Sequence, residues 1–564
     1  MLIMFCSGQY SMEDTLNLIK NAKIGSIVPV VETLPYALEP VEYFAKLSDY
    51  GNKKNSILLE SADIVPKYGE KSLGSAEPCL KVTGKNEDFE ITALNDLGIR
   101  FIEFLKGDFG FCDSVEYKKD KIIGKLKPKR KIVSEEERLK LTNHMDIIRK
   151  VAFKFKPTIK PFIPYAGLFG CISYDFIDQF EDLPKNKKDI TKDPDYLLYF
   201  LDNLFLIDHK EKKTFFVANA LITDNDYDKI YNECLSKIQY YKDAISQKSK
   251  RFLGHKKSQS NFFVNKRNIE KINNNNNNNK TSKKNIESDT SKEEYVEIVE
   301  KIKEHIKAGD VYQAVISRTI SSTINNEPFD IYRKLRKLNP SPYMFYINNS
   351  HGILLGASPE MSIRVEGDKE KIAEIRPIAG TKPRGLADNK IDVDLDSRYE
   401  TELKIDAKEI AEHIMLVDLA RNDVAKISQA GTRYVDEPFI VEKYSHVQHL
   451  VSNVRGILKS NFDALHAYTA TMNMGTLTGA PKVEAMKLLR LYEKTKRGFY
   501  GGAVGYITPH GDFDSTIVIR SMQINGGKAY VRAGAGIVYD SNPESEFVET
   551  ERKAAACLKA LEED

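Results

Sequence analysis

Apolar residues recur along this chain at both strand and helix spacing. The runs SILLESA, GLFGCISYDF, NLFLIDH and TFFVANALI before residue 245, and AVISRTI, MFYINN, GILLGAS, GGAVGYIT, STIVIRSMQI and KAYVRAGAGIVY after 292, read as strands. Between them, 134–153 and 225–245 carry apolar positions at helical spacing, as do a segment opening at 292 (EEYVEIVEKIKEHIKAGD) and stretches near 400–425, 463–472, 481–490 and 545–561. Strand runs joined by hairpin-like turns and flanked by long helices predict an α+β protein. Its antiparallel sheets are expected to form a β-sandwich covered by helices, with a smaller N-terminal α+β part.

The periodicity lapses once. From 246 to 291 the chain is rich in Lys, Asn and Ser, with seven consecutive asparagines at 273–279. Such a segment buries too little surface to offset its ordering entropy. It is expected to be a disordered linker between an N-terminal part (1–245) and a C-terminal part (292–564), and removal of 255–288 is expected to leave activity intact.

Composition narrows the classes of partner. The 84 Lys+Arg against 81 Asp+Glu leave a formal charge of +3, too balanced for a chain that coats nucleic acid or an anionic membrane. The six cysteines are scattered without a CxxC pair, which excludes a disulfide framework and a structural zinc site as expectations and suits a reducing, cytoplasmic setting. MLIMFC is too short for a signal peptide, and YLLYFLDNLFLI is broken by Asp202 and Asn203, short of the ~20 residues of a membrane helix. No tryptophan occurs beside 28 tyrosines and 27 phenylalanines.

Three constellations could carry chemistry. Glu409 and Glu412, and again Glu546 and Glu549, are spaced to stack on one face of a helix. Opposed, the two faces would offer hard oxygen donors to Mg²⁺, although such a pair is ordinarily a solvated face; the apolar Ile410, Ala411, Ile414, Met415 and Leu416 around the first pair favour the metal. Glycine-rich strand segments at 376–381, 498–506 and 533–538 imply a close approach by backbone or ligand, or else bulges, and Arg520 and Lys553 lie near them as cations for a carboxylate. His449 is either a packed core histidine or a proton-transfer group, and its neighbour His446 could serve equally.

The motifs LLGASPEM, RPIAGTKPRG, ELKIDAKEIAEHIMLVDLARND, NMGTLTGAPK, GFYGGAVGYI, IVIRS, AGAGIVYDS and SEFVETERKA cover about 292–561 in order. With VVETLPYALEPVEYFAKL, LLESA and AGLFGCISYDFIDQFEDLP, they resemble the large, chorismate-binding subunit of anthranilate synthases. Two positions discriminate within the superfamily. Aminodeoxychorismate synthases commonly carry a nucleophilic lysine where this chain has Ala379, and isochorismate and salicylate synthases activate water with a lysine at the position of Gln313. Glutamine cannot be that base, so the resemblance favours ammonia as nucleophile.

The resemblance implies the following roles. Mg²⁺ is held by Glu412 and Glu549, supported by Glu409 and Glu546; Arg520, Tyr500, Lys553, Gly534 and Gly536 hold the enolpyruvyl carboxylate; Gly380, Thr381 and Thr476 shape the ring pocket. Glu360 is the general acid, with Thr476 and Gln313 beside it, and His449 serves the second step. Lys382 departs from the arginine frequent in the family. No GxCxG elbow surrounds a cysteine, so ammonia is expected from a glutamine amidotransferase partner in a heterotetramer. L-Tryptophan is expected as feedback inhibitor on Glu60, Ser61, Pro342, Tyr343 and Met344. The alternatives are an aminodeoxychorismate synthase without the lysine and a non-catalytic tryptophan-sensing paralogue. An enzyme opening tryptophan synthesis is needed most when tryptophan is scarce, which gives the missing tryptophans a reading.

Overall fold

The computed structural model describes residues 12–62, 70–127, 135–185, 188–246, 286–387, 390–444 and 447–562. Two sheets of 13 strands each, almost wholly antiparallel, dominate it. Period-two alternation places them. Along Tyr343–Asn349, Phe345 and Ile347 enter an apolar core that also holds Ile363, Val365 and Leu168 of the other sheet, whereas Met344 and Tyr346 face a second core. That second core is roofed by the helices Pro40–Leu47, Tyr227–Ser246, Pro328–Leu338 and Pro543–Ala560 through Phe44, Ile230, Tyr332 and Cys557. The expected sandwich with helical cover is the observed fold.

The two parts of the chain do not fold side by side. In the first sheet Tyr343–Asn349 pairs with Ser56–Glu60, Met344 lying opposite Glu60. In the second Ala503–Ile507 pairs with Gly167–Ile172, Gly505 lying opposite Gly170. Every residue of Gly167–Ile172 is buried, so separating the parts would expose an apolar sheet edge.

Local chemistry also departs from the periodicity. The stretch 134–153 is two helices, Glu135–Lys140 and His144–Ala152, because Asn143 and Asp146 form a capping box. Likewise 400–425 divides into Val393–Ile405 and Ala407–Ile427, where the Asp406 side chain accepts from the Lys408 and Glu409 N–H groups. STIVIRSMQI divides between sheets, ending Phe513–Ile517 in one and opening Ser521–Asn525 in the other, with Arg520 at φ 49° between them.

Most of the expected linker lies outside the described residues. Its end does not: Glu287–Ser288 pairs with Ile320 and Ser321, the Ser288 hydroxyl accepts from Arg318 at 3.2 Å, and Ser291 caps the helix Lys292–Ala308. A deletion reaching 288 therefore removes sheet, contrary to expectation.

Asp202, fully buried, sits where the chain leaves Tyr196–Leu201 of the second sheet for Asn203–Asp208 of the first, and the Lys237 ammonium pairs with it. Lys237→Met strands that carboxylate and is expected to cost about 3–5 kcal/mol, measured by urea unfolding. Among the described residues no helix is long and apolar enough to cross a membrane.

Candidate active site

Both acid pairs stand at helix starts. The break at Asp406 puts Glu409 and Glu412 in the opening turns of Ala407–Ile427, and Asn542 caps Pro543–Ala560 just ahead of Glu546 and Glu549. Helix dipoles there favour negative charge. The apolar sheath expected around the first pair is partial, since Ile414 is 52% exposed and Ala411 is exposed, while Leu416 is buried. Burial and the neighbouring Glu412 carboxylate push Glu409 above the usual range. Burial likewise raises Glu546, with Glu549 adding to the shift and the Ser541 hydroxyl, Lys408 and Lys553 opposing it. Lys408, on the first helix, thus acts on the second.

Gln313 ties the first pair to the sheet. It is buried in the strand Gln313–Thr323, its Nε2 lies 3.4 Å from Glu412 Oε1, and a Cβ on Gly536 would stand 2.8 Å from that nitrogen. Its Oε1 is buried without a partner. The second pair is tied through Lys553, whose ammonium donates to the Gly534 carbonyl at 3.1 Å and lies 3.5 Å from Glu549. Among the described residues no three His, Cys, Asp or Glu side chains converge as a ready cage. Carboxylates from two helices, with Glu409 and Glu546 raised by burial, are the oxygen donors that suit a hard divalent cation keeping positions for water and an anionic ligand.

Glu360 lies between the strands Gly352–Ser358 and Met361–Glu366. Its carbonyl accepts from Ile517 N at 3.0 Å and from Thr516 Oγ1 at 2.7 Å. Burial pushes the carboxyl up to about 7, against the Thr476 hydroxyl and the Lys553 ammonium. The Arg520 guanidinium donates to the Lys553 carbonyl at 3.4 Å. Tyr500 is buried nearby; its hydroxyl is raised by burial and lowered by Arg497, Arg532 and Arg520.

His449 pairs with Thr381 across the sheet. Its Nδ1 is 3.1 Å from the Gly380 carbonyl and 3.0 Å from Thr381 Oγ1. A carbonyl only accepts, so Nδ1 carries the proton and Nε2 is the basic nitrogen. Burial lowers the histidine pKa, the carbonyl bond opposes this, and Arg520 and Arg376 reinforce it. Gly380 has φ +67°, and a Cβ there would stand 3.0 Å from Glu409 Oε2, which joins this strand to the acidic helix. Lys382 pairs with Glu402 at 3.3 Å. His446 lies outside the described residues.

The five residues expected to bind an inhibitor, Glu60, Ser61, Pro342, Tyr343 and Met344, line one cavity of about 640 Å³ that reaches Tyr506 and Asp514 of the other sheet. Glu60 Oε1 accepts from Tyr332 at 2.9 Å and Arg336 at 2.8 Å, while Oε2 is buried without a partner. Ser61 Oγ donates to the Pro342 carbonyl at 2.6 Å, and Tyr343 donates to Asp514 at 3.2 Å. Burial pushes the Asp514 carboxyl up to about 7, with Arg364 the chief opposing charge.

Sequence reasoning missed the buried charges beneath this arrangement. Arg497 lies 4.5 Å from the Tyr174 ring and 5.9 Å from that of Tyr500, and it pairs with Glu493. Only its position before GFYGG could have flagged it.

Residues 111–559 match the family model described as chorismate binding enzyme. Anthranilate synthase component 1 of Vibrio cholerae is 38% identical over 94% of this chain and 95% of its own length. That of Buchnera aphidicola from Acyrthosiphon pisum is 37% identical over 93% and 95%. The crystal structure of anthranilate synthase component I from Streptococcus pneumoniae aligns with TM-score 0.63 and 27% identity, over 88% of this chain and 93% of that one. The menaquinone-specific isochorismate synthase of Escherichia coli shares the fold, with TM-score 0.58 and 14% identity over 98% and 99%.

Proposed function

The chain belongs to the chorismate-binding enzymes as a relative of anthranilate synthase large subunits, and on that premise we propose that it converts chorismate and ammonia to anthranilate, pyruvate and water. Gln313, against Glu412 and Gly536, and Lys553, against Glu549 and Gly534, tie both acid pairs to one glycine-bearing strand, and that linkage carries this reading. Glu412 and Glu549 would hold Mg²⁺, with Glu409 and Glu546 behind them. When bound, the cation supplies positive charge that offsets the acid pairs and receives the ring carboxylate.

Arg520, Lys553, Tyr500 and the backbone of Gly534 and Gly536 bind the enolpyruvyl carboxylate, and Thr381, Gly380 and Thr476 bound the ring. Ammonia forms its bond at ring carbon 2 as the carbon 4 hydroxyl leaves; Glu360, whose carboxyl burial pushes up to about 7 so that a protonated fraction persists near neutrality, gives that hydroxyl its proton so that water departs. The orphan Gln313 Oε1 is an acceptor suited to an ammonia N–H. In the second step the carbon 2 proton is removed as pyruvate leaves and the ring aromatises, with Nε2 of His449 the available base.

Ammonia would come from a glutamine amidotransferase subunit in a heterotetramer, and L-tryptophan would inhibit from the cavity of Glu60 and Ser61. The purified chain with chorismate, Mg²⁺ and ammonium is expected to yield anthranilate fluorescence, and chelation with EDTA is expected to abolish it until Mg²⁺ is restored. Glutamine alone should support no turnover. Chorismate consumed without anthranilate unless a separate lyase is added would favour aminodeoxychorismate synthesis; Ala379 stands against the lysine-dependent form of that reaction. A chain that binds tryptophan but consumes no chorismate would be a sensor.

A further inference from the structure

The segment that includes SYDF, from the N-terminal part, reaches the loop bearing Tyr500. After the strand Gly167–Ile172 the chain turns into the short helix Tyr174–Gln179. There Asp175 Oδ2 accepts from Gly498 N at 2.8 Å, and the Gly498 carbonyl accepts from Tyr174 N at 2.9 Å and Ser173 Oγ at 2.8 Å. A second buried carboxylate packs against the same turn: Asp193 accepts from the Thr191 hydroxyl at 2.7 Å and from the Gln523 amide. Gly498 has φ +59°, and a Cβ there would stand 2.2 Å from Asp193 Oδ2. The same segment steadies the loop on the other side of the site, since Asn473 Nδ2 donates to the Tyr174 carbonyl at 3.0 Å and the Tyr174 and Thr478 hydroxyls are 3.0 Å apart.

We propose that Asp175 and Asp193 are positioning residues of the active site: Asp175 by holding the Gly498 N–H and Asp193 by packing against that glycine, they fix the loop so that Tyr500 meets the substrate carboxylate. The inference rests on the proposed function, in which Tyr500 touches chorismate. Two carboxylates in a nearly dry setting are a costly way to close a turn, and burial pushes Asp193 up to about 6. Asp175 is an effective anchor for the Gly498 amide, because an ionised acceptor bonds more strongly than a neutral one. The N-terminal part is then a component of the catalytic site as well as of the inhibitor cavity.

The test compares Asp175→Ala, Asp175→Asn and Asp193→Ala in the full chain. Each alanine variant is expected to raise the chorismate KM about tenfold, the loss of one charged hydrogen bond, with kcat changed less than about threefold. Asp175→Asn keeps an oxygen for Gly498 N–H while giving up the charge that faces Arg490 at 3.0 Å, and should recover most of the rise. Calorimetric titration with chorismate in the absence of ammonia should show the same loss of affinity, so the test stays readable even if the unsubstituted chain binds chorismate and fails to make anthranilate. Unchanged KM and affinity in both alanine variants, with unfolding midpoints retained, would overturn the proposal. So would a loss confined to kcat.

Discussion

Glu360→Gln is expected to lower kcat for ammonia-dependent anthranilate formation by about 10²–10⁴-fold, the usual contribution of a positioned general acid, while chorismate binding is largely kept. The amide matches the carboxyl in shape, but it has no proton of suitable acidity for a departing hydroxyl. Burial pushes the carboxyl up to about 7, against Thr476 and Lys553, and the proposed reaction uses its protonated form. In the unsubstituted enzyme kcat should therefore fall as pH rises through about 7, and the residual activity of the variant should lack that limb. The fold can be verified independently: the chain contains no tryptophan, so indole emission reports only added L-tryptophan, whose binding should persist. A kcat within about threefold of the unsubstituted enzyme would move the acid to another group.

What the residues announced and what they concealed follow from what periodicity encodes. Alternation and helical spacing identify elements, and nearly every strand read from the sequence is present. They carry no information on pairing partners, so the linker at 246–291 reads as a border, yet Met344 pairs with Glu60 and Gly505 with Gly170 across it. The helix breaks were legible in principle: Asp406 followed by Glu409, and Asn143 followed by Asp146, have N-cap spacing. Continuous apolar spacing concealed them. The break at Asp406 matters to function, because it sets Glu409 and Glu412 at a helix start rather than in mid-helix.

The site shows the same division. Glu360, Lys553 and the acid pairs lie in the family motifs and Gln313 and His449 at positions the resemblance names; the structure sets Gln313 against Gly536 and Lys553 against Gly534 of one strand. Arg497 and Asp193 lie outside those motifs and Asp175 lies inside one without a role, since nothing in a local window separates a charge that is buried under a loop from one that is solvated. Only the tertiary crossing of Gly167–Ile172 onto Ala503–Ile507 makes them neighbours of the site.

Ser61→Arg is expected to raise the tryptophan concentration for half-inhibition at least about a hundredfold, about 2.7 kcal/mol in affinity, while kcat and the chorismate KM are retained. Ser61 is buried in the cavity wall, where its hydroxyl donates to the Pro342 carbonyl and its N–H to Ser72 Oγ at 3.0 Å. A guanidinium there removes one hydrogen bond and fills space the indole needs. The cavity is roomy, at about 640 Å³, and its walls carry Glu60, Glu366 and Asp514 as partners for the new cation, so the fold has a way to accommodate it. Inhibition requires tryptophan to bind one arrangement of the enzyme better than another, and loss of binding must remove inhibition in proportion. Indole emission and anthranilate formation, measured on one sample, separate the cases. Loss of both places the effector in this cavity; binding retained with inhibition lost would make Ser61 part of the coupling between cavity and active site; unchanged inhibition would put the effector elsewhere.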